Sequence, residues 1–189
     1  MCYNMTEVKN MERRLGKLII HASGGTAAKG ANTYKLTVPS AWVKEMGINE
    51  LDREVVLSFD GSTITVTKRL SVDAFISAKR EQGHMLTKLS YFDRDELCTT
   101  IIADHTERVL CVENHTDRVI KTAFGNNLVP IWEDLRYFLE ARCIPRTRAG
   151  LREYLETIGV EAYDPMDIIQ KTEGRMAEDE QWLRIEVLT

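Results

Sequence analysis

Three chain-breaking points fall within the 35 residues 34–68, and they constrain the fold more than any other feature: Pro39, Gly47 and the pair Asp60-Gly61. Only short elements fit between them. Lys35-Leu36-Thr37-Val38 alternates polar and apolar residues, the period of a half-buried strand. Pro39 lacks the amide donor that would extend that strand. Ser40 is suited to cap a helix over 41–46, with Ala41, Trp42 and Met46 on one stripe, and Gly47 to close it in the left-handed conformation. Residues 55–59 (VVLSF) read as another strand. Asp60-Gly61 is a two-residue hairpin signal, and Ile64 and Val66 among threonines form the return strand.

Upstream, 15–21 (LGKLIIH) reads as a strand, and the glycine-rich 23–26 (SGGT) is followed by Lys29-Gly30. A phosphate-cradling loop requires Gly-Lys-Ser/Thr entering a helix, whereas a strand follows here, so the segment is read as a mobile basic loop. Lys35-Leu36-Thr37-Val38-Pro39, the helix ending Met46-Gly47-Ile48, the run Leu51-Asp52-Arg53-Glu54-Val55 and the Asp60-Gly61 hairpin resemble the AbrB/SpoVT family, the MazE-like swapped-hairpin DNA-binding domains, over roughly residues 15 to 69. Two features depart from the family pattern: Glu50-Leu51-Asp52 replaces a small residue before Asp, and the connection 26–33 is longer than the family's tight turn. The resemblance implies a swapped-hairpin β-barrel built by an obligate homodimer, because each protomer alone leaves apolar strand faces and edges exposed. It further implies double-stranded DNA as a partner, with Lys17, Lys29, Lys35 and Lys44 placed for phosphate or base-edge contacts and Asn32 and Thr33 adding hydrogen bonds.

Charge agrees in direction. The 189 residues carry a net charge of −4, but residues 1–70 hold 10 Lys and Arg against 7 Asp and Glu, while the remainder holds 15 against 22. A mildly basic first part suits phosphate contact, and an acidic second part argues against another extended nucleic-acid surface. No apolar run approaches the ~20 residues that span a bilayer, and the first residues, with Asn4, Glu7 and Glu12, lack the apolar segment of a signal peptide. Cys2, Cys98, Cys111 and Cys143 have neither disulfide nor zinc spacing and read as free thiols of a reducing cytoplasm. The expected layout is an N-terminal arm over 1–14, the DNA-binding and dimerisation domain over 15–70, a linker helix over 71–87, and an α+β module over 88–189.

That last module reads as antiparallel strands followed by helices. Leu89, Tyr91 and Phe92 form a short strand, and 97–103 and 108–113 two more, making a meander. Pro130 opens a helix with Ile131, Leu135, Phe138 and Leu139 on its buried side. A second helix carries Leu151, Tyr154, Leu155 and Ile158 and ends at Gly159, Asp164-Pro165 starts a third, and 182–186 closes as a strand. The segments FLEARCIPRTR, YDP, TEGRM and DEQWLR resemble a small module of uncharacterised Gram-positive mobile-element proteins, a resemblance that implies a phage or integrative-element origin and no activity.

Two clusters carry possible chemistry. Asp104, His105, Glu113, His115 and Asp117 have the composition of a metal-dependent nuclease or hydrolase site, with His105, Glu113 and His115 as the candidate ligands; the same residues are also ordinary hairpin-loop residues. Arg142, Arg146, Arg148 and Arg152 around Pro145 offer bidentate contacts to a phosphate or an acidic partner, or else pair with Glu140, Glu153, Asp164 and the acidic run 178–180 inside the module. Trp42, Trp132 and Trp182 suit core or interface positions. Nucleophile elbow, zinc spacing and dinucleotide fingerprint are all absent, so neither catalytic residues nor a cofactor are expected. The expectation is a homodimeric DNA-binding autorepressor with a C-terminal partner-binding module. Its rival is a mobile-element effector, anti-CRISPR-like, that inhibits a host nucleoprotein defence enzyme, and a metal-dependent nuclease stands third.

Overall fold

The computed structural model describes residues 12–22 and 31–188 and divides the chain into two units, 1–68 and 69–189. Both are mixed α and β with antiparallel sheets, and no closed barrel forms among the described residues.

In the first unit, β1 (Leu18–Ala22) and β2 (Asn32–Leu36) form one hairpin, and β3 (Val55–Phe59) and β4 (Ile64–Lys68) another. Between them lies α1 (Ser40–Glu45), a turn and a half of helix. Ser40 is its first helical residue, so the N-cap is Pro39, whose carbonyl accepts the Val43 N–H, and no side chain caps the helix. Its other end follows expectation: Gly47 is left-handed at φ +66°, its N–H reaches Lys44 O, and the Ile48 N–H reaches Val43 O. This is the paired bonding of a Schellman motif. The second hairpin turns one residue later than the sequence predicts. Asp60 N–H bonds Thr63 O, leaving Gly61 and Ser62 as the central pair, with Gly61 at φ +102°. The Asp60 carboxylate accepts the Ser62 and Thr63 N–H groups at 2.9 and 2.8 Å and its carboxyl pKa is lowered by those bonds, so it braces the turn from outside instead of occupying its centre.

The second unit is a four-stranded sheet in the order β7-β6-β5-β8, from β5 (Leu86–Asp93), β6 (Glu96–Asp104), β7 (Val109–Asn114) and β8 (Gln181–Leu188). Alternate residues of β5 face opposite sides. Leu89 and Tyr91 join Ile101, Ala103 and Leu183 beneath α3 (Trp132–Ala141), α4 (Leu151–Ile158) and α5 (Pro165–Thr172), which contribute Leu135, Leu139, Leu155, Ile168 and Ile169. On the other side, Leu86 and Ile102 pack against Phe75 of α2 (Val72–Glu81). The helix expected as a linker therefore carries a core residue of this unit, and β5 begins at Leu86, three residues before the predicted strand. Ser71 caps α2, accepting the Ala74 N–H, and Gly83 ends it at φ +76°. Asp164 caps α5 through the Met166 and Asp167 N–H groups, and Gly159 ends α4, both as read from sequence. Pro130 sits two residues before α3. Ile131 is the N-cap there, and its N–H is taken by the Asp134 carboxylate at 2.9 Å.

Arg142 locks the helical layer to the sheet. It is buried at the end of α3, and its guanidinium bonds Gly174 O, both Asp179 carboxylate oxygens and Gln181 O. Those hydrogen bonds hold the Asp179 carboxyl below its usual value of 3.8. A carboxyl depressed on folding stabilises the fold above its unfolded value, and that contribution is lost as pH falls through the folded one. Asp179→Ala strands a buried cation and is expected to cost about 2–3 kcal/mol, less than a fully buried pair because Asp179 is 34% exposed. Urea unfolding at neutral pH checks this, and the gap between wild type and variant should close below the ordinary carboxylate range.

Candidate nucleic-acid interface

The register of β1 and β2 decides which predicted contacts share a face. Ile19 pairs with Lys35, His21 with Thr33, Ile20 with Tyr34, Leu18 with Leu36 and Ala22 with Asn32. Pleating puts Ile19, His21, Thr33 and Lys35 on one side and Leu18, Ile20, Tyr34 and Leu36 on the other. Thr33 and Lys35 thus stand together, joined by His21. Sequence alone does not single out that histidine, although counting in twos from Lys35 reaches it once the register is known. Asn32 falls on the apolar side. Lys17 is exposed just before β1, and Lys44 is exposed in the last turn of α1, where a cation suits the helix dipole. Lys29 lies outside the described residues.

Lys17, Lys35 and Lys44 make no ion pair among the described residues, whereas Lys68 is held by Asp52 at 2.5 Å and by Gly47 O at 2.8 Å. The three lysines are therefore ammonium groups with strong hydration and no ion-pair partner among the described residues, the type that exchanges water and counterions for phosphate oxygens. Opposite the polar side, the apolar side is bare: Leu18, Ile20, Tyr34 and Leu36 are 57–61% exposed. The second hairpin repeats this, with Val55, Leu57, Phe59, Ile64 and Val66 on one face, all exposed. Among the described residues of this unit, none is buried.

Among the described residues, the second unit does not bring the candidate metal ligands His105, Glu113 and His115 together. In the β6–β7 hairpin, Asp104 pairs with Val109 and Thr99 with Asn114, and the His115 N–H bonds Cys98 O, so His105 and His115 stand at opposite ends, seven residues or roughly 24 Å apart along the ladder at 3.4 Å per residue. Each ring has its own local partner: His105 Nε2 lies 2.9 Å from Thr87 Oγ1, and His115 Nε2 lies 2.8 Å from Thr100 Oγ1. Glu113 lies opposite Thr100, at the His115 end. The residues that do converge are His84, Asp104 and Glu107, whose ligand atoms lie within 4.8 Å of one another. Lys79 already supplies the cation there, 3.6 Å from the fully buried Asp104 carboxylate and ion-paired with Glu107. Burial raises the Asp104 carboxyl, but the His84 ring at 2.7 Å and the Thr106 and Glu107 amides outweigh it and hold it below 3.8. The cluster fastens the end of α2 to the β6–β7 turn.

The arginines also separate. Arg142 is internal, Arg146 pairs with Glu140 at 3.3 Å and lies over the Tyr163 ring, Arg152 pairs with Glu156 at 3.0 Å, and Arg148 is exposed. Burial pushes the Cys111 and Cys143 thiols up to about 11, so neither is a thiolate at neutral pH.

Asp104→Ala removes the shared acceptor of a buried network and is expected to cost about 2–3 kcal/mol, whereas Glu107→Ala, at a half-exposed site, should cost under about 1 kcal/mol; chemical unfolding of both variants checks the order. Comparison with protein-family models, with curated proteins and with solved structures gave no match.

Proposed function

We propose that the chain is a homodimeric, DNA-binding transcriptional regulator of the AbrB/SpoVT type, acting in the cytoplasm on its own promoter, with the C-terminal module binding a protein partner. The single observation that supports it is the two-sidedness of the first hairpin: Lys35 with His21 and Thr33 on one side, and a bare apolar side on the other. A second copy covering the apolar sides of both hairpins removes them from water at about 25 cal/mol per Å² of apolar surface. It also doubles a modest basic charge on one surface, which suits a two-fold DNA site. Affinity then comes from phosphate neutralisation, and promoter occlusion follows from occupancy.

One observation favours the effector reading as a second choice. Every buried residue of the described chain lies in unit 69–189, which is a folded body in its own right, and residues 71–189 are acidic. An inhibitor of a nucleoprotein enzyme presents such a surface to a basic groove.

Lys17→Ala with Lys35→Ala is expected to weaken binding of the full chain to the DNA upstream of its own coding sequence. The slope of log affinity against log salt should flatten by about 0.9 for each phosphate that the variant no longer neutralises. Unchanged affinity and slope would remove these lysines from the interface. Leu57→Glu places a charge on a face that a second copy must cover, and sedimentation should move from dimer to monomer. If the wild type sediments as a monomer, the dimer is wrong and the effector reading takes its place.

A further inference from the structure

The second unit contains a pocket of about 520 Å³ between α3 and the start of α5, within the size range of small-molecule sites. Helix α3 supplies one wall through Trp132, Leu135 and Arg136, spaced so that they share one side of the helix. Tyr163, Met166 and Asp167 supply the other. Trp132 is fixed by the edge of His105, with ring centroids 5.3 Å apart, and the Tyr163 hydroxyl donates to Ile144 O at 2.8 Å. The apolar surfaces are therefore already in position.

The charges at this pocket are not matched to one another in the ordinary way. Arg146 is paired with Glu140, and Asp164 is engaged with the Met166 and Asp167 amides. Arg136 and Asp167 are different. Both are exposed, and among the described residues neither has an ion pair: the Arg136 guanidinium lies over the Tyr137 ring, and the Asp167 carboxylate accepts no hydrogen bond. The pocket thus offers one guanidinium fork on α3, one carboxylate on α5, and an aromatic and thioether surface between the helices. A guanidinium recognises a carboxylate bidentately, and a carboxylate recognises an ammonium. A ligand that satisfies both while covering the apolar surface carries an anion, a cation and an apolar body.

We infer that this pocket is a binding site for a small zwitterion with an apolar side chain, an apolar α-amino acid, held by Arg136 at its carboxylate and Asp167 at its ammonium. Trp132, Leu135 and Met166 take the side chain. The site lies wholly in the second unit and goes beyond the DNA-binding reading, standing whether or not that reading holds.

Calorimetric titration of the full chain with L-phenylalanine tests it, beside phenylacetate and phenethylamine, which each lack one of the two charges. Saturable one-to-one binding of L-phenylalanine is expected, in the weak range that a half-open pocket allows. Arg136→Ala and Asp167→Asn should each weaken it by about tenfold, as should each analogue. Both residues are exposed, so melting of the ligand-free variants should match the wild type and the loss cannot be assigned to unfolding. Absence of saturable binding overturns the inference. So does binding that either variant leaves unchanged, or analogues that bind as well as the amino acid.

Discussion

Strand β5 is hydrogen-bonded along its length on both sides, to β6 and to β8, and this double pairing is the constraint on which the second unit depends. With both edges occupied, every side chain of the strand is committed to one face or the other. Leu89 is fully buried under the three helices, and Leu86 is almost fully buried against Phe75 of α2. One strand therefore serves two cores, and a slip by a single residue would exchange them, turning Lys88 and Ser90 into the helical layer. Arg142 adds a second, polar constraint. Its fork bridges the end of α3, the turn at Gly174 and the start of β8, so the helix and the edge strand are fixed by one side chain.

The first unit is organised by the opposite condition. Its hairpins have good local chemistry, with a Schellman closure at Gly47 and an aspartate-braced turn at Asp60, yet no described residue of it is buried. An isolated two-stranded hairpin is marginal in water, because its backbone bonds form without a covered apolar face. The ion pair from Lys68 to Asp52 and its bond to Gly47 O tie β4 to the segment after α1, but half-exposed contacts of this type contribute little. What stabilises this unit has to come from whatever covers Leu57, Phe59 and their neighbours.

Much of the local structure was legible in the sequence. Asp164-Pro165, Gly159, Gly47 and the alternation of 64–68 each carry their own physical signal, and the elements lie where those signals put them. The misreadings cluster where a contact from elsewhere in the chain competes with a local preference. Leu86 belongs to a strand because Asp104 of β6 and Leu188 of β8, the latter about a hundred residues later, both pair with it. Arg142 is indistinguishable in sequence from three surface arginines, and only the return of the acidic run 178–180 beside it makes it internal. His105 and His115 are ten residues apart and close in sequence, yet a hairpin of this length carries them to opposite ends. The cluster that does form, around Asp104, depends on Lys79 and His84 arriving from α2 and the turn beyond it, and no spacing rule joins those positions.

The pairing of β5 with β8 also sets an order of events during synthesis. Residues 86–93 leave the ribosome roughly ninety residues before their partner at 181–188. At about 5–20 residues per second that is an interval of several seconds. Throughout it, β5 can pair with β6 and accept α3 to α5, but its other edge stays open and the Arg142 fork lacks Asp179 and Gln181 O. The nascent chain therefore carries an unpaired strand edge as well as the two bare hairpins made before it. Gln181–Leu188 acts as the closing stroke, and a ribosome stalled short of it releases a sheet whose edge is still open to pairing with another chain.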